Sequence, residues 1–211
     1  MTPQESFLIS AKKQFLYYKA LGEKAMNQLE AEQLFFNANE DTNSIFIIVK
    51  HLHGNMLSRW TNFLTSDGEK EWRNRDSEFD ATSLKPSHPE LVSGSAEMVN
   101  QVQHDRDNLF KLWNEGWDCL FNAIDELTPE HLSQIIYIRN EGQTIVEAIN
   151  RQLCHYSYHV GQIVFYAKML KKTDWGSLSI PKNKSNAYNS DKFSKEKTIK
   201  NFTDDELKKL K

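Results

Sequence analysis

Cysteine is nearly absent from this chain: Cys119 and Cys154 are the only two in 211 residues. They form no CxxC unit, so neither a disulfide framework nor a thiolate-rich zinc site organises the fold. Both sit in helical patterns and are read as small buried residues in a reducing compartment. Long apolar runs are also missing. No stretch approaches the roughly 18 apolar residues of a membrane span, and the N-terminal Met-Thr-Pro-Gln-Glu lacks the basic and apolar regions of a signal peptide. A soluble cytoplasmic protein with no membrane partner is expected. A net charge of -3 supplies no basic field, so nucleic acid is not an expected partner. No internal repeat is apparent.

What is present is enough apolar material for one domain with a real core, plus an insertion or tail. Thr2, Pro3 and Glu5 combine an N-cap, a proline at the first helical position and a capping box. Leu8, Ala11, Phe15, Tyr18, Gly22, Ala25 and Leu29 then form a stripe at steps of three and four, with Gly22 placed for close approach of a neighbour. A second helix is predicted from Asn43 or Ser44 to about Leu64. Residues 65–80 read as a charged loop anchored by Trp72 and Phe79, with Trp72, Arg73 and Arg75 as candidates to border a pocket. Residues 81–104 read as a surface insertion rich in Ser, Pro and Gly, and no role is placed on His88 or His104. A third helix follows from about Asp105 to Leu127. Ile135–Arg139 and the turn signal Asn140-Glu141-Gly142 predict a short hairpin or extended connector. Thr144 and Glu147 then cap a fourth helix running to Leu170. Trp175 and Ile180 are expected to pack back on the helices. Residues 182–211 read as a Lys-rich solvated tail, because isolated short helices are marginal in water.

Four long helices with one apolar stripe each make an all-α four-helix bundle, and bundles build metal sites from facing helices. The stretch Gln152–Gln162 carries His155 and His159 four residues apart, so both imidazoles leave one helical face about a turn apart. Gln152 and Gln162 keep that face polar over three turns, and buried polar groups need partners. On the second helix His51 is the favoured third ligand, since Asn55 lies one turn on, while His53 points some 200° away from any shared site. Three His with an open fourth position is the arrangement of a catalytic metal. Zinc, nickel, iron or cobalt would accept these ligands. The absence of a Glu-x-x-His pair on either helix argues against a di-iron carboxylate bundle. The bland alternative is three core histidines satisfied by hydrogen bonds.

The runs IVKHLHGN (48–55), NRQLCHYSYHVGQ (150–162) and DWGSLSIP (174–181) resemble the DinB-like superfamily of metal-binding four-helix bundles, in a bacterial branch without assigned function. The matching residues are His51, His155, His159, Gly161 and Gln162, and the likeness covers roughly residues 3–181 apart from the insertion. It implies an up-down-down-up bundle, a homodimer, and a divalent metal on the three His. The superfamily includes transferases and isomerases that use bacillithiol, mycothiol or glutathione. The expected function is therefore a metal-dependent transferase joining a small-molecule thiol to an electrophile, with Asn55 and Gln162 as positioning groups. A metal-dependent hydrolase is the second expectation, and a non-catalytic metal-binding or dimeric bundle the third.

Overall fold

A computed structural model describes residues 1–80 and 96–210. Helix α1 (Pro3–Met26) begins with the reciprocal cap read from the sequence. The Thr2 hydroxyl accepts from the Glu5 N–H at 3.2 Å, and the Glu5 carboxylate accepts from the Thr2 N–H at 2.6 Å. Two otherwise orphaned donors are thereby satisfied. Ala11, Phe15, Gly22 and Ala25 of the expected stripe are buried. At Gly22 the ring of Trp113 lies where a side chain would start: an added Cβ would stand 2.6 Å from Trp113 Cη2.

A one-turn helix, α2 (Ala31–Phe35), precedes α3 (Ile45–Trp60). The Ser44 hydroxyl caps α3 by accepting from the Ile47 N–H at 3.3 Å. Buried residues occur all round α3, from Ile45 and Phe46 through His51 and Asn55 to Trp60. A helix of that kind belongs in the middle of a fold, and α3 indeed touches α2 and the helices on either side. It stops at Trp60, short of the predicted Leu64. Thr61 turns extended and Asn62 takes a φ of 48°, a left-handed value that asparagine tolerates better than most residues.

The stretch 65–80, expected to be loop, contains the single turn α4 (Arg75–Glu78), whose N-terminus is capped by the Asn74 side chain at 3.2 Å from the Ser77 N–H. Of the predicted insertion, 81–95 lies outside the described residues. The rest is not an insertion, because α5 (Ala96–Asp125) is already helical through 96–104. Weak apolar periodicity hid those first turns, which are polar and exposed from Asn100 to Gln103 apart from Val102.

Strands β1 (Ile135–Ile138) and β2 (Glu141–Thr144) form an antiparallel hairpin in which Ile138 pairs with Glu141. Its two-residue turn is Arg139-Asn140, with φ values of 56° and 62°, as the twist of tight hairpins requires. The turn thus lies one residue earlier than its sequence signal, and Gly142 pairs with Tyr137 inside the ladder. Helix α6 (Ile145–Lys171) starts from the predicted Thr144–Glu147 capping box.

The four long helices pack as α3 on α5 and α1 on α6, joined by contacts of α3 with α6 and α1 with α5. Between them Phe15, Trp60, Trp113, Trp117 and Tyr156 are buried and meet ring to ring. Trp175 and Leu178 pack against this core, whereas Ile180, expected to do so, is 41% exposed. The chain is mostly helical, with one two-stranded hairpin among the described residues. No helix among them is long and apolar enough to cross a membrane.

Two further readings change. Cys154 is exposed rather than buried, and Cys119 is half-buried, because Cys154 lies off the stripe that carries Tyr156 and Val160 inward. The tail is not simply solvated. It holds α7 (Ser185–Phe193) and α8 (Thr203–Lys209), and α8 rests on α1 with Thr203 and Leu210 buried and Asp204 paired to Lys13 at 2.6 Å. Docking supplies what the short helix lacks in isolation.

Gly22→Ala is expected to lower stability by about 1–3 kcal/mol through overpacking against Trp113, in spite of alanine's better helix propensity. The loss should shrink in a Trp113→Phe background, a coupling that urea denaturation of the four chains measures.

Candidate metal centre

Folding α3 against α6 brings His51, His155 and His159 together. One ligand atom from each lies within 4.8 Å of the other two. His155 Nε2 is 3.4 Å from His51 Nε2 and 3.2 Å from His159 Nε2. His51 is buried at 5% exposure, and the other two are half-buried. His53 turns away, as its spacing requires, and lies 3.2 Å from the Glu115 carboxylate on α5.

The outer ring nitrogens decide what the inner ones can do. Glu78 Oε2 lies 2.8 Å from His51 Nδ1, and a carboxylate can only accept there, so Nδ1 carries the proton. Gln162 Oε1 lies 2.8 Å from His159 Nδ1, while the same amide donates through Nε2 to the Tyr158 hydroxyl at 3.0 Å. Its oxygen is thereby directed to the imidazole. His51 and His159 then present bare Nε2 lone pairs toward His155 Nε2. A single proton on His155 can answer only one of them. A cation answers all three, so the donor set fits a divalent metal.

Charge follows the same logic. Burial, then the neighbouring His159 and His51, lowers the His155 pKa to about 3. Burial and His51 lower that of His159 to about 4. Both rings are neutral near neutral pH, the form in which imidazole ligates metal.

Glu78 is the residue that sequence reading missed. Its carboxylate is 7% exposed, and Arg73, itself 2% exposed, grips it through Nε at 2.8 Å and a terminal nitrogen at 3.0 Å. Burial would raise the Glu78 pKa, but hydrogen bonds from His51 and Arg73 hold it below the usual glutamate range. Arg73 is also 3.6 Å from Glu69, which pairs with Arg59 and Arg139 at 3.0 Å each. Asp67 continues the line by accepting from the Arg139 and Asn140 N–H groups at 2.8 Å, clamping the hairpin turn. Gly54 on α3 leaves the space that the Glu78 carboxylate fills: a Cβ there would collide with it. The only signal in the sequence was generic, that a ligand histidine wants a carboxylate or carbonyl behind it. Nothing marked the one 27 residues away.

Asn55 lines the same cavity, but its side-chain oxygen accepts from the Tyr156 hydroxyl at 3.1 Å, and that hydroxyl accepts from Trp60 Nε1 at 3.0 Å. Its bond is therefore with the core and not with an imidazole. Gln162, by contrast, holds His159. The cavity, about 490 Å³, is lined by the three His together with Asn43, Phe79, Tyr158, Gln152 and five arginines. Arg73 and Arg75 border it as expected. Trp72 does not, and stands 59% exposed.

A mostly helical protein with a three-histidine candidate metal centre is the class that this fold and site define. The profile of a family described as Protein of unknown function (DUF1572) matches residues 3–93 and 93–184, and the chain belongs to that family. No curated protein and no solved structure matches the chain.

Gly54→Ala should displace the Glu78 carboxylate from His51 without touching a ligand. Metal affinity is expected to fall by about 10–100-fold, as for other changes behind a ligating histidine, in a competitive chelator titration. Glu78→Gln should fall similarly. Glu69 yields a pH prediction. Burial would raise its pKa, but Arg59, then Arg73 and Arg139, keep it low. A depressed carboxylate stabilises the fold above the ordinary glutamate pKa, and that contribution disappears as pH falls through the lower folded value. Glu69→Gln is therefore expected to be less stable by about 1–3 kcal/mol at neutral pH. Denaturation curves of the two chains should converge only as pH falls below the usual carboxylate range.

Proposed function

We propose that this protein is a DinB-like four-helix bundle of up-down-down-up topology whose three histidines hold one divalent metal, and that it transfers a low-molecular-weight thiol to an electrophile. The observation that carries the reading is the set of three Nε2 atoms turned on one another, with His51 and His159 locked by Glu78 and Gln162 into the tautomer that ligates. A bound divalent ion would supply Lewis acidity, favouring the thiolate over the thiol at neutral pH.

The protein's own groups supply the rest. Glu78 and Gln162 fix ring orientation, and the arginines and amides of the cavity wall position the reactants. In the transfer itself the thiol proton goes to solvent, a sulfur–carbon bond forms, and the leaving group departs with its electron pair. Hydrolysis is the weaker reading because it needs a proton-handling residue at the reacting water. Among the described residues lining the cavity none is Asp or Glu. The two nearby carboxylates, Glu69 and Glu78, are already paired with arginines, and Glu147 is committed to capping α6.

The test begins with metal analysis of protein purified without a histidine tag. One divalent ion per chain is expected, lost in His155→Ala with the fold retained. Conjugation of a chromogenic aryl halide should then require both the metal and added thiol. Substoichiometric metal that His155→Ala leaves unchanged overturns the metal reading. Product formed equally fast without thiol overturns the transferase. A metal whose removal unfolds the chain, with no thiol-dependent conjugation, would mark a non-catalytic centre.

A further inference from the structure

The cavity wall beside the histidines carries far more positive charge than it needs for folding. Arg59, Arg73, Arg75, Arg139 and Arg151 all line it. Two carboxylates stand behind them, Glu69 pairing with Arg59, Arg73 and Arg139, and Glu78 with Arg73. Arg75 and Arg151 have no carboxylate partner among the described residues. Neither is left to chance in position. The Arg75 guanidinium lies 5.0 Å over the ring of Phe79, and that ring lies 5.0 Å from the His51 imidazole. Arg151 precedes His155 and His159 by one and two turns on α6, so it rises from the same stripe at the cavity mouth. Guanidinium forks match oxyanions bidentately.

A second, independent observation lies on the cavity's inner wall. Gln152 is 3% exposed, lines the cavity, and its side-chain oxygen has no hydrogen-bond partner. A buried acceptor without a donor is disfavoured in a native fold, and the side chain that carries it belongs to the cavity wall.

We infer that the molecule presented to the three histidines is a small oxyanion-bearing compound, its carboxylate or phosphate gripped by Arg75 and Arg151 and an N–H or O–H donor turned to Gln152. This deepens the thiol-transferase reading by naming the chemistry of the co-substrate, but the anion site can be tested apart from it.

Calorimetric titration of the full chain with succinate and, separately, inorganic phosphate should show saturable binding of one or both, and the preferred probe tells carboxylate from phosphate. Binding should weaken about tenfold or more in Arg75→Gln/Arg151→Gln. Of two probes with equal charge, succinamate should bind more tightly than monomethyl succinate, and Gln152→Leu should erase that difference. In cobalt-loaded protein the sulfur-to-metal absorption band should titrate with mercaptopropionate at about tenfold lower concentration than with mercaptoethanol or cysteamine. That ratio should fall to near one in the arginine double variant. Failure of both anions to bind the wild-type chain, or affinities unchanged in the double variant, overturns the inference. Equal binding of succinamate and its ester overturns the role of Gln152. Absence of a cobalt spectrum would instead strike the metal reading, and the succinate and phosphate titrations would still decide the anion site.

Discussion

A carboxylate removed from water must be answered from more than one side, and Glu78 is answered by Arg73 on one flank and His51 on the other. From that buried link a line of alternating charge runs outward. Arg73 reaches Glu69, Glu69 gathers Arg59 and Arg139, and Asp67 takes the hairpin turn beside Arg139. Each member neutralises the next, so a polar segment between α3 and α5 is held against the helices without an apolar core of its own. The imidazole at the inner end of this line inherits its order.

That arrangement divides the centre into two mechanical halves. His155 and His159 ride on α6, a long helix fixed by Ile149, Tyr156, Val160 and Ile163 in the core. Their separation is set by helix geometry and does not depend on the loop. His51 is buried on α3, but its ring orientation answers to Glu78 and to the Phe79 ring beside it. Gln162, one turn after Tyr158, does for His159 what Glu78 does for His51, using only residues of its own helix. One half of the site is therefore local in sequence and the other depends on a distant turn.

This difference accounts for what could be read from the chain alone. The caps at Thr2 and Thr144, the stripe through Phe15 and Gly22, and the triad His51, His155 and His159 follow from spacing, since helical periodicity converts sequence separation into direction. Gln162 was legible for the same reason. Gln152 stood out on that same polar face, whereas Glu78 and Arg151 did not. Whether a glutamate in a charged loop turns inward is decided by a partner such as Arg73, and nothing in residues 65–80 marks which of its acidic groups that will be. Asn55 was assigned by spacing to the histidines, yet Tyr156 competes for its oxygen and wins. The early start of α5 escaped because its first turns are polar and largely exposed, without apolar periodicity, and the docking of α8 because a short polar helix depends on its contact with α1.

The hairpin ahead of α6 has a consequence for how the chain can vary. Asp67 holds the turn at Arg139 and Asn140, the Gly68 N–H donates to the Tyr137 carbonyl at 2.8 Å, and β2 runs directly into the capped first turn of α6. The helix is thus indexed from its start, like a shaft keyed to its housing. One residue inserted or lost between Asn140 and Ile145 would have to be absorbed in the ladder or passed on as a rotation of about 100°. Passed on, it would swing His155 and His159 off the face they share with His51.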